Sequence, residues 1–247
     1  ETSQACAQEL VGKGVELVML GLDLFPGYAT FTASDVPVVG ALPILPPDYT
    51  ADALFVTGGN LTTMAAMVAV AVEHLGASTA GIISADNPGS NSSEASLTAA
   101  LDKAGITYVS IKGSDNETDA GFQGLVREAT EDDPDVMFSL YSDAGCIGAM
   151  RARVLLGVTT PAVTTPICAS SEVIDVVGDD AVGWSFVAIG SRSDTPASDE
   201  LDAIVALGDG TVATSIGLGA LGIQEIVTLA RVANHLAANG AEVTGQA

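Results

Sequence analysis

Three apolar runs in this chain stop on an aspartate: Leu17 to Leu22 before Asp23, Ala80 to Ala85 before Asp86, and Val136 to Ser142 before Asp143. Each follows a helix-like stretch and a Gly or Pro break, which is the sequence form of buried parallel strands alternating with covering helices. The fold class this predicts is α/β with doubly wound parallel sheets. In such sheets ligands bind beyond the carboxyl ends of the strands, where loops converge and helix N-termini point their free N–H groups.

The 247 residues can bury one large core or two modest ones. Hydrophobic residues make up 48% and charged ones 16%, spread along the chain, which describes a globular protein and not a disordered one. No apolar run reaches the roughly 18 residues of a membrane span. The richest stretch, Thr211 to Ala238, is broken by Gln224, Glu225 and Arg231. A formal charge of −23 would repel a phosphate backbone and an anionic lipid surface, so nucleic acid and membrane surfaces are poor partners. The plain account of that charge is solubility in a salty or extracytoplasmic medium.

Residues 1–14 read as an Ala-rich helix closed by Gly12 and Gly14. With no charged leader and no apolar signal core ahead of this helix, the chain is expected to begin partway through a longer protein. Strands are expected at 15–21, 36–40, 80–84, 106–111, 135–141, 161–165 and 184–189, and a short segment at 53–56. Helices are expected at 25–34, 60–75, 91–104, 119–131, 143–156, 170–177, 197–207 and 213–238, with a Pro-rich loop from Leu42 to Asp48. The middle block, about 58 to 182, supplies enough strand–helix units for one doubly wound domain, whereas the flanks are each incomplete. The expected organisation is a first, incomplete lobe of 1–53 plus 195–247 and a second lobe of 58–183. Hinge crossovers are expected at 54–57 and 184–194.

The succession Ala5 to Val11, the strand with Gly21, Val36-Pro37-Val38-Val39-Gly40, Leu54-Phe55-Val56-Thr57 and Asp102-Lys103-Ala104-Gly105-Ile106 resembles type I periplasmic solute-binding proteins, nearest to the branched-chain amino-acid-binding branch of ABC transporters. Met150 to Arg153, Leu156-Gly157-Val158 and Val177 to Trp184 extend the likeness over nearly the whole chain. The resemblance implies an extracytoplasmic (periplasmic or cell-surface lipoprotein) binding protein that is not an enzyme. It implies that a small-molecule ligand is delivered to ABC transporter membrane subunits, and that no cofactor or metal is needed. It also implies that roughly 60 residues before Glu1 and a comparable stretch after Ala247 belong to a complete member. The alternatives are a ligand-sensing domain of a receptor or regulator on the same fold, and a nucleotide-dependent α/β enzyme.

By position, the family's ligand loops fall at Asp23–Gly27, Leu42–Ile44, Asp86–Gly89, Tyr141–Gly145 and Pro166–Ala169. Members that hold amino acids usually carry Ser or Thr in the first two and an acid in the fifth. This chain has Leu24-Phe25-Pro26, Leu42-Pro43-Ile44 and Pro166-Ile167-Cys168 there. Without those donors and that anion a zwitterion would leave unpaired charge in the site, which costs several kcal/mol. The expected ligand is therefore uncharged or largely apolar. Leu24, Phe25, Leu42, Pro43, Tyr141 and Ile167 would line its site, with Asn87, Ser142 and Asp143 as directional polar contacts.

Leu24, Leu42, Asp86, Asp143 and Trp184 each have a plainer reading beside the binding one. Leu24 and Leu42 would plug the base of a lobe, Asp86 and Asp143 would cap the helices that follow them, and Trp184 would be core. Gly217 to Gly222 matches the dinucleotide pattern GxGxxG with Glu242 beyond it, but the preceding residues make a poor strand, and close helix packing explains the glycines better. His74 and His235 stand apart near helix ends with no metal-ligand spacing, and no nucleophile elbow, Walker loop or Cys-x-x-Cys is present. If the strands before Cys146 and Cys168 are neighbours, their ends lie about 5 Å apart and a disulfide can join the two; two free cysteines are the alternative. Cys6 should stay unpaired.

Overall fold

A computed structural model describes residues 3–187, 196–207 and 218–241. The chain divides into two compact units, residues 1–59 with 221–247 and residues 60–220. Residues 196–207 thus fall with the second unit, whereas the sequence reading put 195–247 in the first lobe. Only helices were expected in that stretch, and a helix carries no strand-pairing pattern that would assign it to a sheet. Most of the expected second crossover, residues 188–194, lies outside the described residues, as do 1–2 of the opening helix and 213–217 of the last one.

In the first unit α1 (Ser3–Gly12) and α2 (Tyr28–Ala33) accompany a parallel sheet of β1 (Val18–Leu20), β2 (Val38–Gly40) and β3 (Leu54–Phe55), in that order. Val18 pairs with Val38, and Val39 with Leu54. Val18 and Val38 are buried together with Ala7 of α1 and Phe31 of α2, the small core of this unit. Helix α2 starts three residues later than the sequence pattern proposed, because Pro26 pushes Phe25 out of the helical region and Gly27 takes the N-cap position. The Pro-rich loop contains a 3₁₀ turn over Pro46–Tyr49.

The second unit is built on a five-stranded parallel sheet of β4 (Thr79–Ala85), β5 (Thr107–Gly113), β6 (Val136–Leu140), β7 (Ala162–Thr164) and β8 (Trp184–Phe186), ordered β5-β4-β6-β7-β8. Its apolar residues alternate between two layers. Ile83 and Met137 face a core with Phe122, Leu125 and Val126 of α5 (Asp119–Ala129) and Ala149 and Met150 of α6 (Asp143–Leu155). Ala80, Ile82, Val136 and Phe138 face the opposite core, with Met64 and Met67 of α3 (Gly59–Glu73) and Leu97 and Leu101 of α4 (Pro88–Ala104). Burial on both faces explains why β4 and β6 read as continuous apolar runs. Helices α7 (Ser171–Val177), α8 (Pro196–Val205) and α9 (Leu218–Ala238) complete the described elements. The GxGxxG stretch is helical from Leu218 to Gly222, which is not the strand-to-helix turn a dinucleotide requires.

At the amino edge of this sheet Asp135 fastens β6 to β4. One carboxylate oxygen accepts from the Ser78 N–H and hydroxyl at 2.8 Å each and from the Thr79 N–H and hydroxyl at 3.0 Å each. Those four donors, the Ser78 N–H foremost, hold the Asp135 carboxyl down at about 2. Because the folded value is depressed, the stabilisation is present above the ordinary aspartate range and disappears as pH falls through about 2. Asp135→Asn should therefore unfold at a lower temperature than the parent at pH 7, and the gap should close as the pH approaches 2. A gap independent of pH would refute the assignment.

Candidate functional site

All five strands of the second unit are parallel, so the loops after β4, β5, β6 and β7 emerge on one edge. This edge gathers Asn87, Tyr141, Ser142, Asp143 and Ile167, and cross-links join the loops that carry them. Asn87 is the N-cap of α4: its Oδ1 accepts from the Ser90 N–H (2.8 Å) while its Nδ2 donates to Asp115 beyond β5 (2.6 Å). The Ser90 hydroxyl donates to the Leu140 carbonyl at the end of β6 (3.0 Å), and the Asp86 N–H to the Gly113 carbonyl (2.9 Å). Neither aspartate weighed as a helix cap is one. Asp86 accepts from the Asn91 side chain (3.2 Å), and Asp143 is the first residue of α6, behind Ser142 at the N-cap position.

Tyr141 corrects the sequence reading. Its ring is not an open cleft surface: the residue is 2% exposed, packed edge-on against Phe122 with centroids 4.9 Å apart. The phenol donates to the Ser114 carbonyl at 3.3 Å. Burial, with Glu117 and Asp115 nearby, pushes this phenol up to about 12, so it stays a neutral donor. The last residue of an apolar strand follows the pleat inward, and sequence alternation at a strand end leaves that direction open. Trp184 is also core, 8% exposed. Ile167 is half-buried in a 3₁₀ turn, Pro166–Ala169, whose Cys168 forms a disulfide with Cys146 of α6 (Cα–Cα 5.4 Å). Cys6 is free and exposed.

Near the same edge Lys112 of β5 donates to Asn91 (2.7 Å) and pairs with Glu94 of α4 (3.2 Å). Burial favours the neutral form of Glu94, but hydrogen bonds from Ser110 (2.6 Å) and Ser84 (2.9 Å) and the Lys112 charge outweigh it and hold the carboxyl below its usual range. The lysine nearest this edge is thus already compensated.

In the first unit the loop after β1 is turned by Asp23, whose Oδ1 accepts from the Phe25 N–H (2.9 Å) and the Ser3 hydroxyl (3.0 Å). Leu24 is half-buried behind it and Phe25 is 62% exposed. After β2, Leu42 is half-buried and Pro43 buried. Asp48, 4% exposed, was missed in the sequence and fixes this loop. It accepts the N–H groups of Ile44 (2.7 Å) and Leu45 (2.8 Å) and the Tyr28 hydroxyl (2.9 Å). Burial and the Asp48 carboxylate push the Tyr28 phenol far above its ordinary range. The Pro46-Pro47-Asp48 string was the available signal, since an acid at the third position of a tight turn reaches back to free N–H groups. A cavity of about 460 Å³ in this unit, lined by Leu17, Val39 and Leu54 among others, includes none of the candidate residues.

Among the described residues no group of three or more His, Cys, Asp or Glu side chains could hold a metal ion, and no helix is long and apolar enough to cross a membrane. The arrangement is one of positioned loops at strand ends, suited to holding a molecule.

The comparisons agree with that reading of the fold. Residues 1–222 match the family model described as periplasmic binding protein, and the chain belongs to that family, one of binding proteins rather than enzymes. No curated protein matches it by sequence. Among solved structures, a leucine-binding protein of Thermotoga maritima superposes with a TM-score of 0.75 at 15% identity, over 92% of this chain and 66% of that one. A solute-binding protein of an ABC transporter from Rhodopseudomonas palustris, in complex with 3,4-dihydroxybenzoic acid, gives 0.76 at 16% over 99% and 68%. A substrate-binding protein of an ABC transporter from Sphaerobacter thermophilus gives 0.76 at 18% over 90% and 63%. The chain spans about two thirds of the length of these structures.

Proposed function

We propose that the protein binds a small organic solute outside the cytoplasm and delivers it to the membrane subunits of an ABC transporter. The observation that carries this reading is the family match over residues 1–222, which includes every loop carrying a candidate contact. We further propose that the solute is uncharged or largely apolar. Three features support this. The Ile44 and Leu45 N–H groups, which could meet a ligand carboxylate, are taken by Asp48. Lys112 is held by Glu94 and Asn91. Asp86, Asp115 and Asp143 are exposed at the loops of the second unit, where they would repel an anion.

In this proposal Leu24, Phe25 and Leu42 supply apolar surface on the first unit, with Pro43 buried behind them, and on the second Ile167 supplies apolar surface while Asn87, Ser142 and Asp143 orient the solute. Tyr141 supports its loop from beneath. We also propose that residues 54–57 carry the chain from its first lobe into its second. Native mass spectrometry of the gently purified full-length protein should show a co-purifying small molecule of neutral charge. Calorimetry with leucine should show feeble binding; a submicromolar dissociation constant for this zwitterion would overturn the ligand class. Phe25→Ala should weaken retention of the co-purified molecule by about 1–3 kcal/mol and leave the melting temperature unchanged, because a side chain this exposed contributes little to the core. Loss of stability without loss of binding would remove Phe25 from the site.

A further inference from the structure

At the carboxyl edge of the five-stranded sheet, three helices are closed by a side chain at their first turn. Asn87 accepts the Ser90 N–H of α4 (2.8 Å), Thr118 the Gly121 N–H of α5 (3.1 Å), and Ser170 the Val173 N–H of α7 (3.4 Å). Helix α6 has no such bond from Ser142. Among the described residues neither the Ser142 nor the Asp143 side chain makes a hydrogen bond, and both residues are exposed. Asp143 nevertheless holds a φ of +45°, in the left-handed region that a residue with a Cβ seldom adopts. Aspartate visits this region more readily than most residues, as Asp35 (+57°) and Asp133 (+48°) also do, but at Asp143 no side-chain hydrogen bond supports it, so the fixed points on either side have to.

The chain is anchored on both sides of that residue. Two positions before it, the Tyr141 ring is locked against Phe122, and Gly145 lies so close that a Cβ there would stand 2.6 Å from the ring. Three positions after it, Cys146, 1% exposed, is bonded to Cys168 in the loop after β7. The four residues from 142 to 145 must bridge two fixed points, and the turn through Asp143 is how they do so. We propose that the Cys146–Cys168 bond is a positioning element, working against the fixed ring of Tyr141, that holds Asp143 at positive φ and leaves the Ser142 hydroxyl and Asp143 carboxylate facing outward. The bond supplies no acceptor for the first-turn N–H groups of α6, of which those of Gly145 (2.8 Å) and Cys146 (3.4 Å) reach the Ser142 carbonyl; what it fixes is the path of the turn, with the Ser142 and Asp143 side chains outside any local hydrogen bond. Its bearing on function rests on reading those two residues as ligand contacts.

The test needs no ligand. Asp143→Gly and Asp143→Ala are compared by chemical denaturation of the full chain, with the disulfide intact and in a Cys146→Ala/Cys168→Ala background. With the bond present, the unfolding constant of Asp143→Gly should be at least about five-fold smaller than that of Asp143→Ala, since only glycine takes positive φ without penalty. Without the bond the ratio should fall to one or invert, because alanine is the better residue in a relaxed helical turn. A bond that merely stabilises the fold would lower both variants equally, and the same ratio in both backgrounds overturns the proposal. So does Asp143→Gly being no more stable than Asp143→Ala in the intact protein, which keeps the test decisive if the cysteine-free chain fails to fold. Because binding is not measured, a negative result would remove the positioning role and leave the solute-binding reading standing.

Discussion

Tyr141→Ala is expected to destabilise the protein by about 3–5 kcal/mol, the range for emptying a large aromatic site in a packed core. The ring is 2% exposed and touches Phe122 edge-on. Backbone crowds it from two sides, for a Cβ on Gly113 would lie 2.4 Å from its hydroxyl and one on Gly145 2.6 Å from its ring. Glycines at those positions let strand β5 and helix α6 close on the ring, so the site cannot collapse inward when the ring is removed. Tyr141→Phe keeps the packing and loses only the 3.3 Å bond to the Ser114 carbonyl, which should cost about 1 kcal/mol. Denaturant unfolding of both variants checks the pair. If Tyr141→Ala lost less than about 1 kcal/mol, the ring would have to lie at the surface after all.

That residue also marks how far the sequence could be read. The runs ending at Asp86 and Asp143 announced buried parallel strands, because Ile82, Ile83, Met137 and Phe138 are apolar on both faces and no antiparallel surface strand has that pattern. The helices between them were legible from their apolar spacing, and the structure shows what bounds them, such as Thr118 capping α5 and the left-handed Gly105 closing α4. What the pattern could not supply was direction at the strand ends. Tyr141 and Ser142 are consecutive, yet one turns into the core and the other into solvent. Asp48 escaped notice for a related reason: its three partners, Ile44, Leu45 and Tyr28, are brought to it by a short turn in one case and by tertiary packing in another, and only the first leaves a trace in local spacing. Charge pairing across elements, as between Lys112 and Glu94, leaves none.

The loop that Asp48 holds gives the second large effect. Gly59 adopts a φ of +60°, and a Cβ placed on it would lie 1.9 Å from the Pro43 carbonyl oxygen. That oxygen cannot retreat freely, since it accepts the Tyr49 hydroxyl (3.1 Å) while the next two N–H groups of the loop are bound to Asp48. Gly59→Ala therefore adds a backbone clash to the penalty for positive φ, and is expected to cost about 2–4 kcal/mol. Gly76 separates the two contributions: its φ is +66°, but nothing lies within 4 Å of where a Cβ would be. Gly76→Ala should cost only the conformational part, about 1 kcal/mol. Thermal and denaturant unfolding of the two variants measures the difference, which belongs to the contact with Pro43. A Gly59→Ala protein no less stable than Gly76→Ala would mean that the Leu42–Ile44 loop yields easily, and that Asp48 does not hold it rigid as a ligand contact requires.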